Sequence, residues 1–281
     1  PEREEEKAPR LNLATRLALP LVTHLTQWPP VADLLTRSSQ PRRAKPPYRI
    51  QNEIFVVEAC QKTGRLTVQD LRNGTIYPGL QRFVDGGDSG DEYNYNPPVQ
   101  DSIIEATRLR KAFIEKNAVG EILTLHLEMV VPRRINPNRQ SRSREKVTLT
   151  MVSRIHLVRG SSLIEIKTEV ENTALDHRLR VHFPAPFKVT EAHYDGHFEV
   201  VTRPVGVEPG WDPSWPEQPR PEVPQRAFTD ISNEQLGLLV ANRGLPEVEV
   251  CQNPDGHSEI ALTLLRCVGW LSRHDLTTRT G

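Results

Sequence analysis

Ile50-Gln-Asn-Glu-Ile-Phe-Val-Val-Glu58, Lys62-Thr-Gly64 and Arg65-Leu-Thr-Val-Gln-Asp-Leu71 decide the fold class. The first stretch is rich in β-branched and aromatic residues, the second is a turn, and the third alternates apolar with polar at period two. Arg72-Asn-Gly74 is a further turn signal, so residues 50–77 read as a meander of strands. Outward from it, strand patterns occupy 104–117, 120–132, 145–158, 162–173, 177–183, 197–202, 226–231, 236–241, 247–251 and 258–268. In Ser162–Glu171 the cleaner apolar face carries Ile164, Ile166, Thr168 and Val170, opposite Leu163, Glu165, Lys167 and Glu169. No long amphipathic helix pattern appears after residue 50. This many strands predicts a mainly β chain built on two large packed antiparallel sheets.

Residues 1–47 have a different character. Glu2–Lys7 is a charge run, Leu11–Leu35 is apolar but broken by Pro20, Pro29 and Pro30, and Arg42–Pro47 reads as a linker with an extended backbone. The predicted organisation is an N-terminal extension or linker at 1–47 and a β-sandwich domain at 48–281.

Composition narrows the function. Lys plus Arg and Asp plus Glu both number 36, so the net charge is zero, and the basic excess of a nucleic-acid binder is missing. Three cysteines, Cys60, Cys251 and Cys267, lack the even count and spacing of a disulfide framework and point to a reducing, cytoplasmic compartment. No apolar run approaches the ~20 residues of a membrane span, and Pro1–Pro9 has no secretory core.

Four segments are candidates for chemistry. Phe83-Val-Asp-Gly-Gly-Asp-Ser-Gly-Asp-Glu-Tyr-Asn-Tyr-Asn-Pro-Pro98 combines acids, glycines and tyrosines. Carboxylates accept hydrogen bonds from sugar hydroxyls and rings cover apolar sugar faces. The spacing of an EF-hand calcium loop is absent, and the alternative is a turn-rich connection with solvated acids. Arg133–Lys146 holds six cations and one acid and reads as a solvated hairpin tip. Pro204–Pro224 is Pro-rich, and its Trp211 and Trp215 either stack on a sugar or pin the loop. His193-Tyr-Asp195 and His274-Asp275 pair imidazole with carboxylate without the further ligands a metal site needs, and His126, His156 and His182 sit in strands as structural residues. Neither a Gly-x-Ser-x-Gly elbow nor a phosphate-binding glycine loop occurs.

Five of these fragments, in order, carry a resemblance. Ile50–Glu58 with Gly64–Asp70, the loop Asp85–Tyr95 with Pro97-Pro98, Arg180-Val-His-Phe-Pro184, Gly244–Val250 and Ala261–Arg273 together resemble the C-terminal β-domain of glycoside hydrolase family 38 α-mannosidases of the bacterial branch. The resemblance covers about residues 48–281. It implies a large antiparallel β-supersandwich of the galactose-mutarotase-like kind. It also implies a parent enzyme that hydrolyses α-mannosides with retention, in which zinc and the nucleophile belong to an N-terminal catalytic domain. None of that domain's metal motifs stands in this sequence, and family members continue beyond Gly281, so the resemblance reads the chain as a truncated or separately encoded part.

The expectations for this chain are therefore no catalytic residue, no metal ligand and no cofactor of its own. In the resemblance Tyr93 aligns with a sugar-contacting tyrosine, Asp91 and Asn94 lie beside it, and Arg279 matches a later arginine near the pocket. The expected partners are an α-mannoside or other carbohydrate, the parent's catalytic domain and, through the face that domain would cover, a second copy in a homo-oligomer. A free-standing carbohydrate-binding β-module is the alternative. A mutarotase-type epimerase ranks last, because its histidine pair and catalytic glutamate are not matched.

Overall fold

The computed structural model describes residues 41–272, apart from 208, 209, 211, 213 and 215–218. All regular secondary structure among the described residues is strand. The chain enters through a two-residue strand, β1 (Arg42–Arg43), inside the segment read as a linker; it pairs with Ile114 and Phe113.

The meander read at 50–77 forms as a four-stranded antiparallel sheet: β2 (Tyr48–Gln51), β3 (Phe55–Ala59), β4 (Leu66–Asp70) and β5 (Ile76–Leu80). Its β3–β4 turn closes with Gly64 N–H on the Cys60 carbonyl at 2.8 Å. Gly64 has φ +74°, and a Cβ there would lie 2.5 Å from the Leu127 side chain, so only glycine allows this packing.

The next strand, β6 (Arg82–Gly87), corrects the sequence reading, which placed 83–87 in a loop. The Gly86-Gly87 pair signals a turn, but the backbone runs on as strand and pairs with a later one. Then come the three long strands β7 (Thr107–Lys116), β8 (Gly120–Pro132) and β9 (Lys146–Val158), followed by β10 (Glu165–Glu171). They form a five-stranded sheet in the order β1-β7-β8-β9-β10. In β8, Leu123, Leu125, Leu127, Met129 and Val131 are buried in the main core, as period-two alternation requires. Strand β10 lies at the edge, so Thr168 and Val170 of its apolar face are only half-buried and Ile166 is exposed.

Among the described residues eight strands follow: β11 (His177–Pro184), β12 (Glu191–Asp195), β13 (Val200–Pro204), β14 (Glu222–Pro224), β15 (Phe228–Ser232), β16 (Gly237–Ala241), β17 (Glu247–Gln252) and β18 (Ser258–Cys267). Four of them make a sheet, β13-β12-β15-β16, and the other four join β6 in a five-stranded sheet, β14-β17-β18-β11-β6. The hydrogen-bond ladders thus divide into four sheets where two were expected. Alternation reports which residues face inward, but not which ladders join.

The sheet containing β6 and β11 positions the site. Val181 pairs with Leu262 and Phe83, and Val250 with Ile260, so these apolar side chains share the core face. Their neighbours point the other way. Arg82, Arg178, Arg180, His182, Glu247, Glu249, Glu259 and Thr263 therefore make a charged face on the opposite side. Among the described residues no helix is long and apolar enough to cross a membrane.

Candidate functional site

The acidic segment at 85–98 is bolted to the sheet rather than solvated. Asp85 and His177 are fully buried, and His177 Nδ1 lies 2.5 Å from Asp85 Oδ2. Arg142, reaching in from the β8–β9 hairpin, donates to the other carboxylate oxygen and to the Ser102 carbonyl at 3.1 Å. His177 Nε2 faces Asn172 Oδ1 at 3.0 Å, so both ring nitrogens meet oxygen. Burying these charges is tolerable only because each is paired.

Asp88, also fully buried, accepts from Arg266 Nε at 2.8 Å and from Gly90 N–H at 2.9 Å. Arg266 donates onward to the Asp91 carbonyl at 2.8 Å. The loop then folds on itself. Asp91 Oδ1 accepts the backbone N–H groups of Tyr93 at 2.9 Å and Asn94 at 2.8 Å. A Cβ on Gly90 would sit 1.9 Å from the Asn94 carbonyl oxygen, so glycine is required by close approach.

The cationic hairpin supplies a further clamp. Arg139 donates to the Ser89 carbonyl and to that of Gly90 at 3.3 Å, and its guanidinium lies 3.5 Å from the Trp270 ring centroid. The Arg133–Lys146 segment, read as a solvated tip, thus sends Arg139 and Arg142 to hold the acidic loop. Arg133 matches the solvated reading and pairs with Glu145 at the surface.

Held in this way, the loop stands beside the edge of the charged face and leaves a cleft of about 300 Å³. Tyr93, Asn94 and Tyr95 line it from the loop; Arg220, Glu222, Pro224 and Glu247 line it from the sheet side. Tyr93 is 71% exposed, and Tyr95 lies flat under Arg178, whose guanidinium is 3.3 Å from the ring centroid. One nitrogen, Arg178 Nη1, serves both acids, at 2.6 Å to Glu222 Oε1 and 3.4 Å to Glu247 Oε1. Thr263 donates to the same Glu247 oxygen at 2.6 Å. Burial would raise the Glu222 carboxyl, but the hydrogen bond and charge of Arg178 prevail and hold it below the usual carboxylate range. Burial pushes the Tyr95 phenol up, against the pull of Arg178, so it stays neutral.

The other end of the charged face is closed. Arg82 grips Glu259 at 2.8 and 2.6 Å, and His182 Nδ1 approaches the same carboxylate at 2.8 Å. Burial would raise the Glu259 carboxyl, but His182 and Arg82 outweigh it and hold the group at about 2. Burial pulls His182 below its ordinary value, so it donates as a neutral imidazole. The Cys251 thiol, pushed up to about 12 chiefly by burial, rests 3.6 Å from Glu259.

Two of the sequence-derived site residues, Tyr93 and Asn94, meet at the cleft. Asp91 spends one carboxylate oxygen on the loop's own turn. Arg279, Trp211, Trp215 and His274-Asp275 lie outside the described residues. His193 contacts Thr202 at 2.9 Å, and Asp195 accepts the Ala227 N–H at 3.0 Å, so that pair serves the β12–β13 sheet. Sequence reasoning missed Arg178, Arg220, Glu222 and Glu247. A signal existed for two of them, Arg178 and Glu247. Arg178-Leu-Arg-Val-His182 and Glu247-Val-Glu-Val-Cys251 alternate charge with apolar, which marks a strand with one ionic face.

The family model described as glycosyl hydrolases family 38 C-terminal domain matches residues 50–271. A Halalkalibacterium halodurans protein provisionally named a mannosylglycerate hydrolase is 27% identical over 239 residues, covering 79% of this chain and 25% of that protein. An α-mannosidase crystal structure from Enterococcus faecalis superposes with a TM-score of 0.72 at 27% identity, over 82% of this chain and 27% of the other. A glycosyl hydrolase family 38 protein from the same organism gives 0.70 at 26% identity, over 82% and 28%. The chain spans about a quarter of the length of these relatives.

Proposed function

The chain belongs to the glycosyl hydrolase family 38 C-terminal domain family, and from that premise we propose that it is the β-domain of a longer retaining α-mannosidase and supplies one wall of its sugar pocket. The observation that carries this reading is the exposed Tyr93 at the mouth of the cleft, on a loop held by three arginines. Binding energy contributed by a wall helps catalysis only if the wall is rigid, and the ion pairs of Asp85 and Asp88 provide that rigidity. We read the four sheets as a supersandwich of the galactose-mutarotase kind.

Chemistry resides elsewhere in this proposal. Retaining glycosidases place two carboxyl groups ~5–5.5 Å apart, one as nucleophile and one as acid. Asp85 and Asp88 are consumed by buried ion pairs and are inaccessible to substrate. Among the described residues no three His, Cys, Asp or Glu side chains converge as a metal site requires. We assign zinc, nucleophile and acid to the catalytic domain of the parent, the expected partner, with an α-mannoside as substrate. Arg279 stays a proposed pocket residue beside Tyr93, Asp91 and Asn94. The unbridged cysteines support a cytoplasmic setting.

The test is a kinetic comparison in the full-length parent. Tyr93→Phe removes one hydroxyl and should lower kcat/KM for an aryl α-mannoside by about 1 kcal/mol or more. Unchanged kinetics would remove Tyr93 from the pocket wall, and absence of α-mannosidase activity in the unmodified parent would overturn the assignment.

A further inference from the structure

The cleft beside Tyr93 carries more than a wall. Its floor is a pair of carboxylates, Glu222 and Glu247, whose Oε1 atoms share Arg178 Nη1. Arg178 is itself fixed from the far side by the Tyr95 ring, and its side chain is almost fully buried. The carboxylates are thus locked side by side. Neither second oxygen, Oε2, has a side-chain partner among the described residues. Two adjacent, preoriented acceptors are suited to receive hydrogen bonds from neighbouring hydroxyls on a sugar or polyol.

The surroundings agree. Arg220 lines the cleft with no acid partner among the described residues and offers donors, as does the Asn94 amide. Together with Arg178 it balances the two acids, so the cleft has no net charge to attract an ionic ligand. Pro224 and the exposed Tyr93 ring provide the apolar surface that covers the C–H face of a sugar. A volume of about 300 Å³ is at the small end of ligand sites (~300–1,000 Å³).

We propose that this cleft is a carbohydrate subsite in its own right, taking a neutral polyhydroxyl unit through neighbouring hydroxyls on Glu222 and Glu247. It rests on the reading of the domain as a sugar-facing wall, and extends it from one tyrosine to a binding site present on this chain alone.

The experiment is titration of the purified 281-residue chain with methyl α-mannoside and α-linked mannobiose, followed by ligand-observed NMR, with glycerate and calcium as controls. Saturable binding of the neutral sugars is expected. Glu222→Gln should weaken it at least about tenfold, since a charged hydrogen-bond acceptor is lost. Because Glu222 also pairs with Arg178, the exposed Tyr93→Ala is run in parallel and should weaken binding severalfold without changing the unfolding midpoint. No saturable binding, binding indifferent to both substitutions, or preference for glycerate or calcium would overturn the proposal. Its failure is separable from that of the parent's assignment, because hydrolysis by the parent is measured without reference to Glu222 or Glu247.

Discussion

Asp85 and His177 face each other across two neighbouring strands with 2.5 Å between Oδ2 and Nδ1, and neither side chain touches solvent. Leu179 is the backbone partner of Asp85, and His177 that of Gly87, so the pair forms diagonally along the ladder at the point where the acidic loop leaves the sheet. Arg142 completes the cluster from the β8–β9 hairpin. The loop that presents Tyr93 is thus anchored by a buried ionic contact rather than by apolar packing.

Arg142→Met should therefore be costly. It leaves a buried carboxylate with half its partners, and breaking such a pair typically costs about 3–5 kcal/mol. Arg110→Ala, which removes the partly exposed pair to Glu128, should stay within about 1 kcal/mol. Urea unfolding of both variants checks the contrast.

Arg139→Ala should act locally. The Ser89 and Gly90 carbonyls lose their cationic donor and Trp270 loses its stacking partner. A cation–π contact is worth about 0.5–2 kcal/mol, so the expected signature is faster amide exchange across 88–96 with little change in the long strands. Hydrogen-exchange mass spectrometry resolves the two regions.

Acid should destabilise the domain through the Arg82–His182–Glu259 cluster. His182 is held below its ordinary 6.5 by burial, so as pH falls past 6.5 the unfolded chain takes a proton that the folded one refuses. Glu259 titrates at about 2 when folded against 4.5 when free, so its contribution is present above about 4.5 and lost as pH falls towards 2. Both shifts give stability that rises with pH in these windows. His182→Gln should flatten the profile just below 6.5 and also shrink the lower part, because Glu259 then keeps Arg82 but loses one of the two partners that hold it down; unfolding midpoints across pH would reveal both changes.

The isolated chain should neither hydrolyse an aryl α-mannoside nor hold stoichiometric zinc. Asp85 and Asp88 are committed to Arg142, His177 and Arg266, Glu222 and Glu247 share Arg178, and retaining hydrolysis needs a nucleophile and an acid opposed across the scissile bond. Zinc-dependent turnover by the purified chain would overturn the division of labour, and elemental analysis gives the metal content directly.

Much of this architecture was legible in the residues. Period-two alternation located β8 and β9 to within a residue of their ends, and Lys62-Thr-Gly64 marked a turn that needs φ +74°. These signals are local, because side-chain alternation and turn geometry depend only on neighbours in the chain. Tyr93 and Asn94, which the resemblance singles out in one contiguous stretch, both line the cleft.

The rest needed the tertiary structure. Gly86-Gly87 resembles a turn until β11 is seen lying alongside it, and Asp85 looks solvated until Arg142 arrives from 57 residues away. Arg178, Glu222 and Glu247 are scattered over three strands, and only the antiparallel register β14-β17-β18-β11 brings their side chains to one face. The amino-acid sequence by itself determined where the long strands β8 and β9 are and which of their faces are apolar, because those follow from neighbours two residues apart. The pairing of distant ladders decided which charges meet, and with that the buried anchors of the loop and the carboxylate pair of the cleft, because an ion pair depends on spatial distance and burial that no local pattern encodes.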